Sequence, residues 1–311
     1  MTVRVPEGVD AGAVWHYGDP LREQKALEAG RAGVDLSHRP LFTVGGADRL
    51  RWLNDITSQD FASLAPGTPT VAYILDAQGH LTHVFGAVDD GTTLWCHTEP
   101  GRRDALVAWL RRMVFAARVE VAELGADHAL VLPPGSTTGP VIVPAAEVEA
   151  VLGDTRAGTW AMEAVRIASG TPRIFLDTDE RTIPNELANP SGDLLGPAVH
   201  LRKGCYPGQE TVARVYNLGR PPRRLALLHL DGSAERLPTL GADVLLEGRA
   251  VGRMGTSERH HELGPVGLAL LKRTVPVDAA LEVDGVAASQ EALVDPESGL
   301  HWRPEPGLGR A

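Results

Sequence analysis

Hydrophobic residues recur at two spacings along the chain, and each spacing predicts one type of element. Apolar positions three or four residues apart predict amphipathic helices, whereas short β-branched and aromatic runs between turn residues predict strands. The predicted helices cover residues 20–29, 47–54, 102–115, 145–152 and 159–168. The predicted strands of the same region cover residues 41–44, 70–75, 81–88, 92–97, 119–124 and 129–132.

The order of these elements indicates the fold class. The turn Asp76-Ala77-Gln78-Gly79 joins two predicted strands into a hairpin. Helices and strands then follow one another without strict β-α-β alternation. This mixture favours an antiparallel α+β layout over a doubly wound parallel sheet.

The pattern changes after residue 222 to short apolar runs separated by Gly, Pro or Asp turns, which is typical of a small all-β domain. The predicted strands there cover residues 225–230, 243–246, 250–254, 266–271 and 280–283. We therefore predict two α+β subdomains in residues 1–217 and a β-barrel in residues 222–291. Residues 296–311, rich in Pro and Gly, are predicted to be a loose tail.

Composition and charge exclude several classes of protein. The 311 residues carry 30 Lys and Arg against 40 Asp and Glu, a formal net charge of −10. This balance argues against a protein held on nucleic acid by bulk charge. No signal-like segment is visible at the start and no apolar run is long enough for a membrane span, so we expect a cytoplasmic protein without membrane contact.

The two cysteines, Cys96 and Cys205, form no CxxC pair and predict neither a disulfide framework nor a zinc site. Cys205 stands in the segment KGCYPGQE, residues 203–210. Pro207 fits the first turn of a helix running to about residue 216, and Lys203 lies two positions before the cysteine. Both features favour the thiolate, although an inert buried thiol is the common alternative. Cys96, in a predicted strand, is expected to be buried.

The segment KGCYPGQE resembles the signature of the YgfZ-type folate-binding proteins, relatives of the T-protein of the glycine cleavage system. Further similar segments follow in the family's order: DLSHR at 35–39, YILDAQG at 73–79, RIASGTP at 166–172 and IPNE at 183–186. The resemblance implies a multi-domain ring of mixed antiparallel sheets and helices, with a C-terminal barrel and a central folate pocket.

The resemblance also implies a ligand, partners and site residues. The cofactor would be tetrahydrofolate or a derivative, and iron–sulfur enzymes, including one that thiolates tRNA, would be clients. No direct high-affinity binding of nucleic acid is expected. The catalytic candidates are Cys205 and Lys203, and the folate-binding candidates are Arg166, Tyr206, Gln209, Tyr73, Glu186 and Arg224.

Other interpretations stay open for these side chains. Arg166 could be a surface helix residue, and Arg220, Arg223 and Arg224 could form a basic spot for a folate tail or RNA, or a solvated face. No metal site is predicted, because the pair His260-His261 lacks the companion Cys or Glu pattern of a metal-binding motif.

One departure from the T-protein bears on activity. Aminomethyltransferases carry a pair of Asp residues on the strand after the hairpin turn, where this chain has the uncharged stretch from Leu81 to Val84. This absence argues against aminomethyl transfer. The sequence leaves three possibilities: a folate-binding accessory protein that uses Cys205, a true aminomethyltransferase, or a folate-regulated scaffold without chemistry.

Overall fold

The computed structural model describes residues 1–297, and most of the predicted tail lies outside the described residues. The helices are α1 (Pro20–Glu28), α2 (Arg49–Ile56), α3 (Arg103–Arg112), α4 (Val148–Leu152), α5 (Thr159–Ala168) and α6 (Gln209–Leu218). No helix in this part of the chain has the length and apolar character to cross a membrane.

The strands before α5 are β1 (Val3–Arg4), β2 (Val14–His16), β3 (Gly33–Asp35), β4 (Leu41–Gly45), β5 (Thr70–Leu75), β6 (Leu81–Asp89), β7 (Thr93–His97), β8 (Glu120–Glu123), β9 (His128–Leu132), β10 (Val141–Pro144) and β11 (Arg156–Ala157). Those after α5 are β12 (Pro190–Ser191), β13 (Leu194–Leu195), β14 (Val199–His200), β15 (Arg223–Leu230), β16 (Asp243–Leu246), β17 (Arg249–His260), β18 (Gly264–Lys272), β19 (Leu281–Val283) and β20 (Val286–Ala292).

The largest open sheet has five strands in the order β5-β6-β7-β4-β8, and all its neighbours are antiparallel. Because side chains alternate along a strand, β5 serves two cores. Ala72 and Ile74 pack with side chains of α2 and α3, whereas Tyr73 and Leu75 lie in a cluster on the other face.

A second sheet has the order β10-β9-β3-β11, in which only the β3–β11 pair is parallel. Its apolar side chains pack with residues of α1 and α5, such as Ala26 and Ala161. Small residues at these helix positions let the helices approach the sheet and each other closely.

The C-terminal strands form a closed barrel in the order β15-β18-β17-β16-β19-β20. Along β15, Ala226 and Leu228 belong to one core together with Met254, while Leu225 and Leu227 belong to the cluster that includes Tyr73 and Leu75. One face of β15 therefore packs with barrel residues, and the other with the sheet, α5 and α6.

The predicted α+β fold with a C-terminal barrel is confirmed. Residues 70–75, 159–168 and 243–246 match their elements to the residue. Nine of the twenty strands of residues 1–297 were not predicted, namely β1–β3, β10–β14 and β20, and all of these except β20 have only two to four residues. Strand β17 extends six residues beyond the predicted end at 254. The short β10 follows a Pro- and Gly-rich loop, and β20 alternates apolar with polar residues in a polar segment, so neither produces a strong apolar run.

Candidate functional site

The signature segment docks onto the β5–β6 hairpin through two glycines. Gly208, the residue before α6, has φ of +78°, and a Cβ there would lie 2.5 Å from the carbonyl oxygen of Asp76. A Cβ at Gly79 would lie 2.8 Å from Cβ of Thr211. The 3-10 turn Pro184–Glu186 also contacts α6, because the side chain of Asn185 donates to the carbonyl oxygen of Val212. Three segments that carry the family resemblance thus meet in space.

Helix α6 begins at Gln209, two residues later than expected from Pro207. The reason is Gly208, whose left-handed conformation separates Pro207 from the helix. Cys205 is exposed in the preceding loop, while Cys96 is fully buried, and burial followed by the charge of Asp89 raises the pKa of the Cys96 thiol.

Lys203 is buried and its ammonium group is directed at the carboxyl end of α2. The group donates to the carbonyl oxygens of Asn54, of Thr57 at 2.5 Å and of Gln59 at 3.1 Å. It also lies 4.9 Å from the ring centroid of Tyr206. Burial lowers the pKa of Lys203 to about 8. This geometry gives Lys203 a structural task, fixing the signature loop to α2, rather than the predicted task beside Cys205.

Tyr73 and Tyr206, both predicted to bind folate, are buried in the hydrophobic cluster that also contains Leu75 and Leu225. Burial raises the pKa of each phenol to about 12. Tyr206 and Gln209 line a small cavity of about 310 Å³ beside α6, with Arg202 and Asn217. This cavity lies beside the signature helix and shares no lining residue with the large cavity described below.

Arg166 is buried in α5 and its guanidinium is fully engaged inside the protein. It contacts Glu163 at 2.8 Å and Asp177 at 2.9 Å, and it donates to Thr256 on β17 at 2.6 Å. Burial disfavours the charged form, but the two carboxylates raise the pKa of Arg166 above its ordinary value. The expectation that Arg166 holds a folate carboxylate is therefore not supported, because its donors already have partners.

Arg220, Arg223 and Arg224 do not form one free basic spot, because their guanidinium groups have separate partners. Arg223 contacts Asp179 at 2.5 Å and the buried Glu186 at 2.9 Å, which also removes Glu186 from the set of free ligands. Arg220 contacts a carboxylate at 2.7 Å, that of Glu297. Arg224 is fully buried and donates to Gln290 and to the carbonyl of Val275.

Arg224 differs from its neighbours because of strand alternation. It shares the face of β15 that carries Ala226 and Leu228, which face the barrel core. Side chains alternate between the two faces of a strand, so the neighbours Arg223 and Arg224 point to opposite faces of β15. Their adjacency in the sequence does not show which of them is buried.

A large cavity, of about 790 Å³, lies where β6, the segment 175–181 and the barrel meet. Its lining comprises Leu81, Thr82, His83, Arg102, Phe175, Thr178, Asp179, Glu180, Arg181 and Arg253. The volume is within the range of about 300–1,000 Å³ typical of small-molecule sites. None of the eight predicted site residues lines it.

Three guanidinium groups in this lining, those of Arg102, Arg181 and Arg253, form no ion pair within residues 1–297. Arg102 lies 4.2 Å from the ring centroid of Phe175, and Arg253 donates to the carbonyl of Thr178 at 3.3 Å. Asp179 is already paired with Arg223, and Glu180 is exposed. The sequence offered no signal for these arginines, because they come from three distant segments of an Arg-rich chain.

His83 lies on the β6 wall, at the position where the T-protein pattern has carboxylates. Burial, followed by the charges of Arg102 and Arg112, lowers the pKa of His83 to about 4. The imidazole is therefore neutral at pH 7. Its ring lies 6.0 Å from that of Trp109, and it can offer one donor and one acceptor to a ligand.

Phe175 has a positive φ of 77°, which is uncommon for a residue with a side chain. Its N–H donates to Thr178 Oγ1 at 2.8 Å, which fixes the turn. Backbone strain of this kind is concentrated at functional sites, and here it places an aromatic ring in the wall of the cavity of about 790 Å³.

The histidine pair at 260–261 does have a carboxylate partner, which sequence spacing could not reveal. His260 Nε2 lies 2.9 Å from Glu28 of α1, and His261 contacts the same carboxylate. His260 Nδ1 accepts the N–H groups of Glu262 and Leu263, so the hydrogen-bond network assigns the proton to Nε2. To bind a metal ion through Nε2, His260 would need its proton on Nδ1 instead. The cluster therefore acts as a hydrogen-bonded clasp between α1 and the barrel.

Comparison with known proteins finds sequence similarity to YgfZ proteins and structural similarity to a glycine cleavage T-protein. The tRNA-modifying protein YgfZ of Edwardsiella ictaluri is 37% identical over 134 residues, which covers 42% of this chain but only 39% of that protein. The YgfZ protein of Yersinia enterocolitica is 27% identical over 315 residues, covering 88% of this chain and 91% of that protein. No family model matches the chain.

Among solved structures, the glycine cleavage system aminomethyltransferase T of Bartonella henselae matches with a TM-score of 0.75 and 18% identity, covering 96% of this chain and 95% of the other. This similarity confirms the predicted T-protein-like architecture. The chain is thus similar in sequence to YgfZ tRNA-modifying proteins and similar in fold to the glycine cleavage T-protein.

Proposed function

We propose that the protein binds tetrahydrofolate or a derivative in the cavity of about 790 Å³ and acts as an accessory protein in tRNA modification. The observation that carries the proposal is the set of three arginines in the cavity lining that form no ion pair within residues 1–297. Folate ends in carboxylates, and guanidinium groups bind carboxylates through paired hydrogen bonds.

The remaining walls suit the aromatic part of the same ligand. Phe175 and the neutral His83 supply flat rings, and Leu81 supplies an apolar surface. The other lining residues are polar or charged, so the cavity offers a small apolar surface surrounded by groups that can orient a ligand. Arg102 is held over Phe175, so its charge is placed without a competing ion pair.

We place the function beside iron–sulfur enzymes, with Cys205 as the group that acts on a client. The relatives from Edwardsiella and Yersinia are named as tRNA-modifying proteins, which supports a role in that process. Cys205 is exposed in a loop fixed by Lys203 and Gly208, so a partner can reach its sulfur. Iron–sulfur enzymes that thiolate tRNA are the client class.

One observation favours the alternative, a folate-dependent aminomethyltransferase. Although Thr82 and His83 replace the Asp pair, Asp179 and Glu180 reach the same cavity from another segment. Asp179 is held by Arg223, and its pKa is lowered to about 2 mainly by Arg223 against the effect of burial, so it stays ionised and bound. Turnover with a lipoyl carrier protein that is lost in Glu180→Gln would establish the alternative.

The binding test is Arg253→Gln in the full-length protein, measured by calorimetry with tetrahydrofolate under anaerobic conditions. We expect a 5- to 150-fold weaker affinity, about 1–3 kcal/mol, because the ligand carboxylate loses a charged partner. Arg214→Gln removes an exposed arginine of α6 outside the cavity and should bind like the wild type. Equal affinity in both variants would contradict the site.

Cys205→Ser separates binding from action on a client. The variant should bind tetrahydrofolate normally, because Cys205 does not line the cavity. It should fail to restore tRNA-thiolating activity in a deletion strain. If Cys205→Ser fully restores tRNA-thiolating activity, the scaffold without chemistry is favoured. If Arg253→Gln restores this activity although it no longer binds folate, folate is not needed for the function.

A further inference from the structure

A second cleft, of about 310 Å³, lies on a different part of the molecule and shares no lining residue with the proposed folate cavity. It is enclosed by the N-terminal segment around Glu7, by the first two turns of α5, and by the end of β17 at Glu258. We call it the tryptophan cleft, after Trp15 and Trp160 in its wall.

The charges in this cleft are mostly negative. Four carboxylates line it, those of Glu7, Asp10, Glu163 and Glu258, against the single guanidinium of Arg173. That guanidinium is already used, because Arg173 contacts Asp10 at 2.6 Å and Glu163 at 3.2 Å. The tryptophan cleft therefore attracts positive charge and has no cation of its own to spare.

Among the carboxylates of the tryptophan cleft, Glu258 is partly buried but has no cationic partner in the described part of the chain. It forms no ion pair within residues 1–297, and its side chain accepts a hydrogen bond from the N–H of Arg259 at 2.9 Å. Burial raises the pKa of Glu258 to about 7, and the nearby charge of Glu163 adds to this effect, whereas Arg259 and a hydrogen bond with Trp160 act against it. A half-buried carboxylate without a cation is costly, and a positively charged ligand would remove that cost.

The aromatic wall indicates an organic rather than an inorganic cation. The rings of Trp15 and Trp160 are stacked, with centroids 4.9 Å apart and planes inclined by 18°. Indole faces attract ammonium and guanidinium groups, and they do not serve as ligands for Mg²⁺ or Ca²⁺. The exposed side chains of Val9 and Leu240 at the cleft offer contact to an alkyl chain.

We propose that the tryptophan cleft binds a small organic cation, an amine or guanidine on a short alkyl chain, with its charged group held by Glu258 and the tryptophan pair. This site is independent of the proposed folate site, since the two share no residue. The volume of the cleft suits a ligand of that size.

The test uses agmatine as the probe, titrated into the full-length protein by calorimetry at 150 mM NaCl. We expect saturable binding at one site with Kd below about 1 mM. Glu258→Gln should weaken it at least about tenfold and Trp160→Leu severalfold, each with the wild-type circular dichroism spectrum. Glu262→Gln, an exposed residue on the adjacent turn, is the matched control and should bind like the wild type.

Three outcomes would overturn the proposal. The first is no saturable binding of agmatine or of tetramethylammonium. The second is equal affinity in Glu258→Gln and Glu262→Gln, which would assign the binding to the overall negative charge. The third is binding that does not depend on a small cation. Equal binding of the uncharged analogue butylurea would indicate an apolar site, and binding of Arg-containing peptides alone would indicate a protein partner.

Discussion

At the scale of single residues, the signature lysine shows how a motif residue can be structural. The ammonium group of Lys203 donates hydrogen bonds to the carbonyl oxygens of Asn54, Thr57 and Gln59, at the carboxyl end of α2. Helix C-termini leave such carbonyls without partners, and a cation there satisfies them and favours the helix dipole. Proximity in sequence to Cys205 suggested another role, because the direction of a long side chain cannot be read from its position.

We expect Lys203→Met to lower the free energy of unfolding by about 2–4 kcal/mol, because it leaves buried carbonyl oxygens without donors. The measurement is urea unfolding followed by circular dichroism and by fluorescence. Lys25→Met, at an exposed position of α1, is the control and should change stability by less than about 0.5 kcal/mol. Similar midpoints for both variants would show that the carbonyl cage is not needed.

At the scale of elements, the contact between α6 and the β5–β6 hairpin depends on the absence of a side chain at Gly208. The helix begins directly after this residue, and the backbone of Asp76 occupies the space that a Cβ would need. The left-handed φ adds a conformational cost for any other residue. The proposed folate cavity begins on the same hairpin, since Leu81 and His83 belong to β6.

Gly208→Ala should therefore destabilise the protein by about 2–4 kcal/mol and weaken tetrahydrofolate binding, because α6 must shift against the hairpin. Gly204→Ala is the matched control in the same loop, since a Cβ there would meet nothing within 4 Å and the backbone is not left-handed. Thermal unfolding and calorimetry compare the two. Equal behaviour of the two alanine variants would contradict this account.

The helices and most of the longer strands were predictable, because apolar periodicity and turn residues report local structure, whereas most two- to four-residue strands were not. Helix α5 and strands β5 and β16 were located to the residue. The site was not predictable in the same way. The motif indicated the family, but the arginines of the large cavity come from residues 102, 181 and 253, and only the fold brings them together. Burial also separates Arg166 and Arg224 from a surface site, since the Arg166 guanidinium contacts Asp177 and Arg224 donates to Gln290 inside the protein.

At the scale of the whole molecule, a buried ion network joins its parts. Arg173 contacts Asp10 of the N-terminal segment and Glu99 after β7, each at 2.6 Å. Through Glu163 the network continues to Arg166 and so to the barrel. Breaking a buried pair leaves an uncompensated charge, which commonly costs about 3–5 kcal/mol.

The network predicts a loss of stability in acid. Burial would raise the pKa of Asp10, but hydrogen bonds from His38 and Arg173 lower it well below 3.8, and arginines likewise lower the pKa of Glu163 against burial. Carboxyls with lowered pKa stabilise the protein above about pH 4.5, and this contribution is lost as the pH falls.

Asp10→Asn should therefore be less stable at pH 7 but should lose stability less steeply between about pH 4 and pH 2. The difference in slope can reach about 1.4 kcal/mol per pH unit, the value for one proton. Urea unfolding across this range is the measurement, with Asp243→Asn, at an exposed strand residue, as the control. An unchanged acid slope in Asp10→Asn would show that Asp10 is not held by the network.

The clasp between α1 and the barrel has a consequence for the order of synthesis. Gln24 bonds to the carbonyl of Arg259, 235 positions later in the chain, and Glu28 contacts His260 and His261. A ribosome adding about 5–20 residues per second needs about 12–47 s to cover that interval. During this time α1 has been made and its partners have not. The nascent chain must therefore carry an incomplete first domain, whose final closure waits for nearly the last strands to emerge.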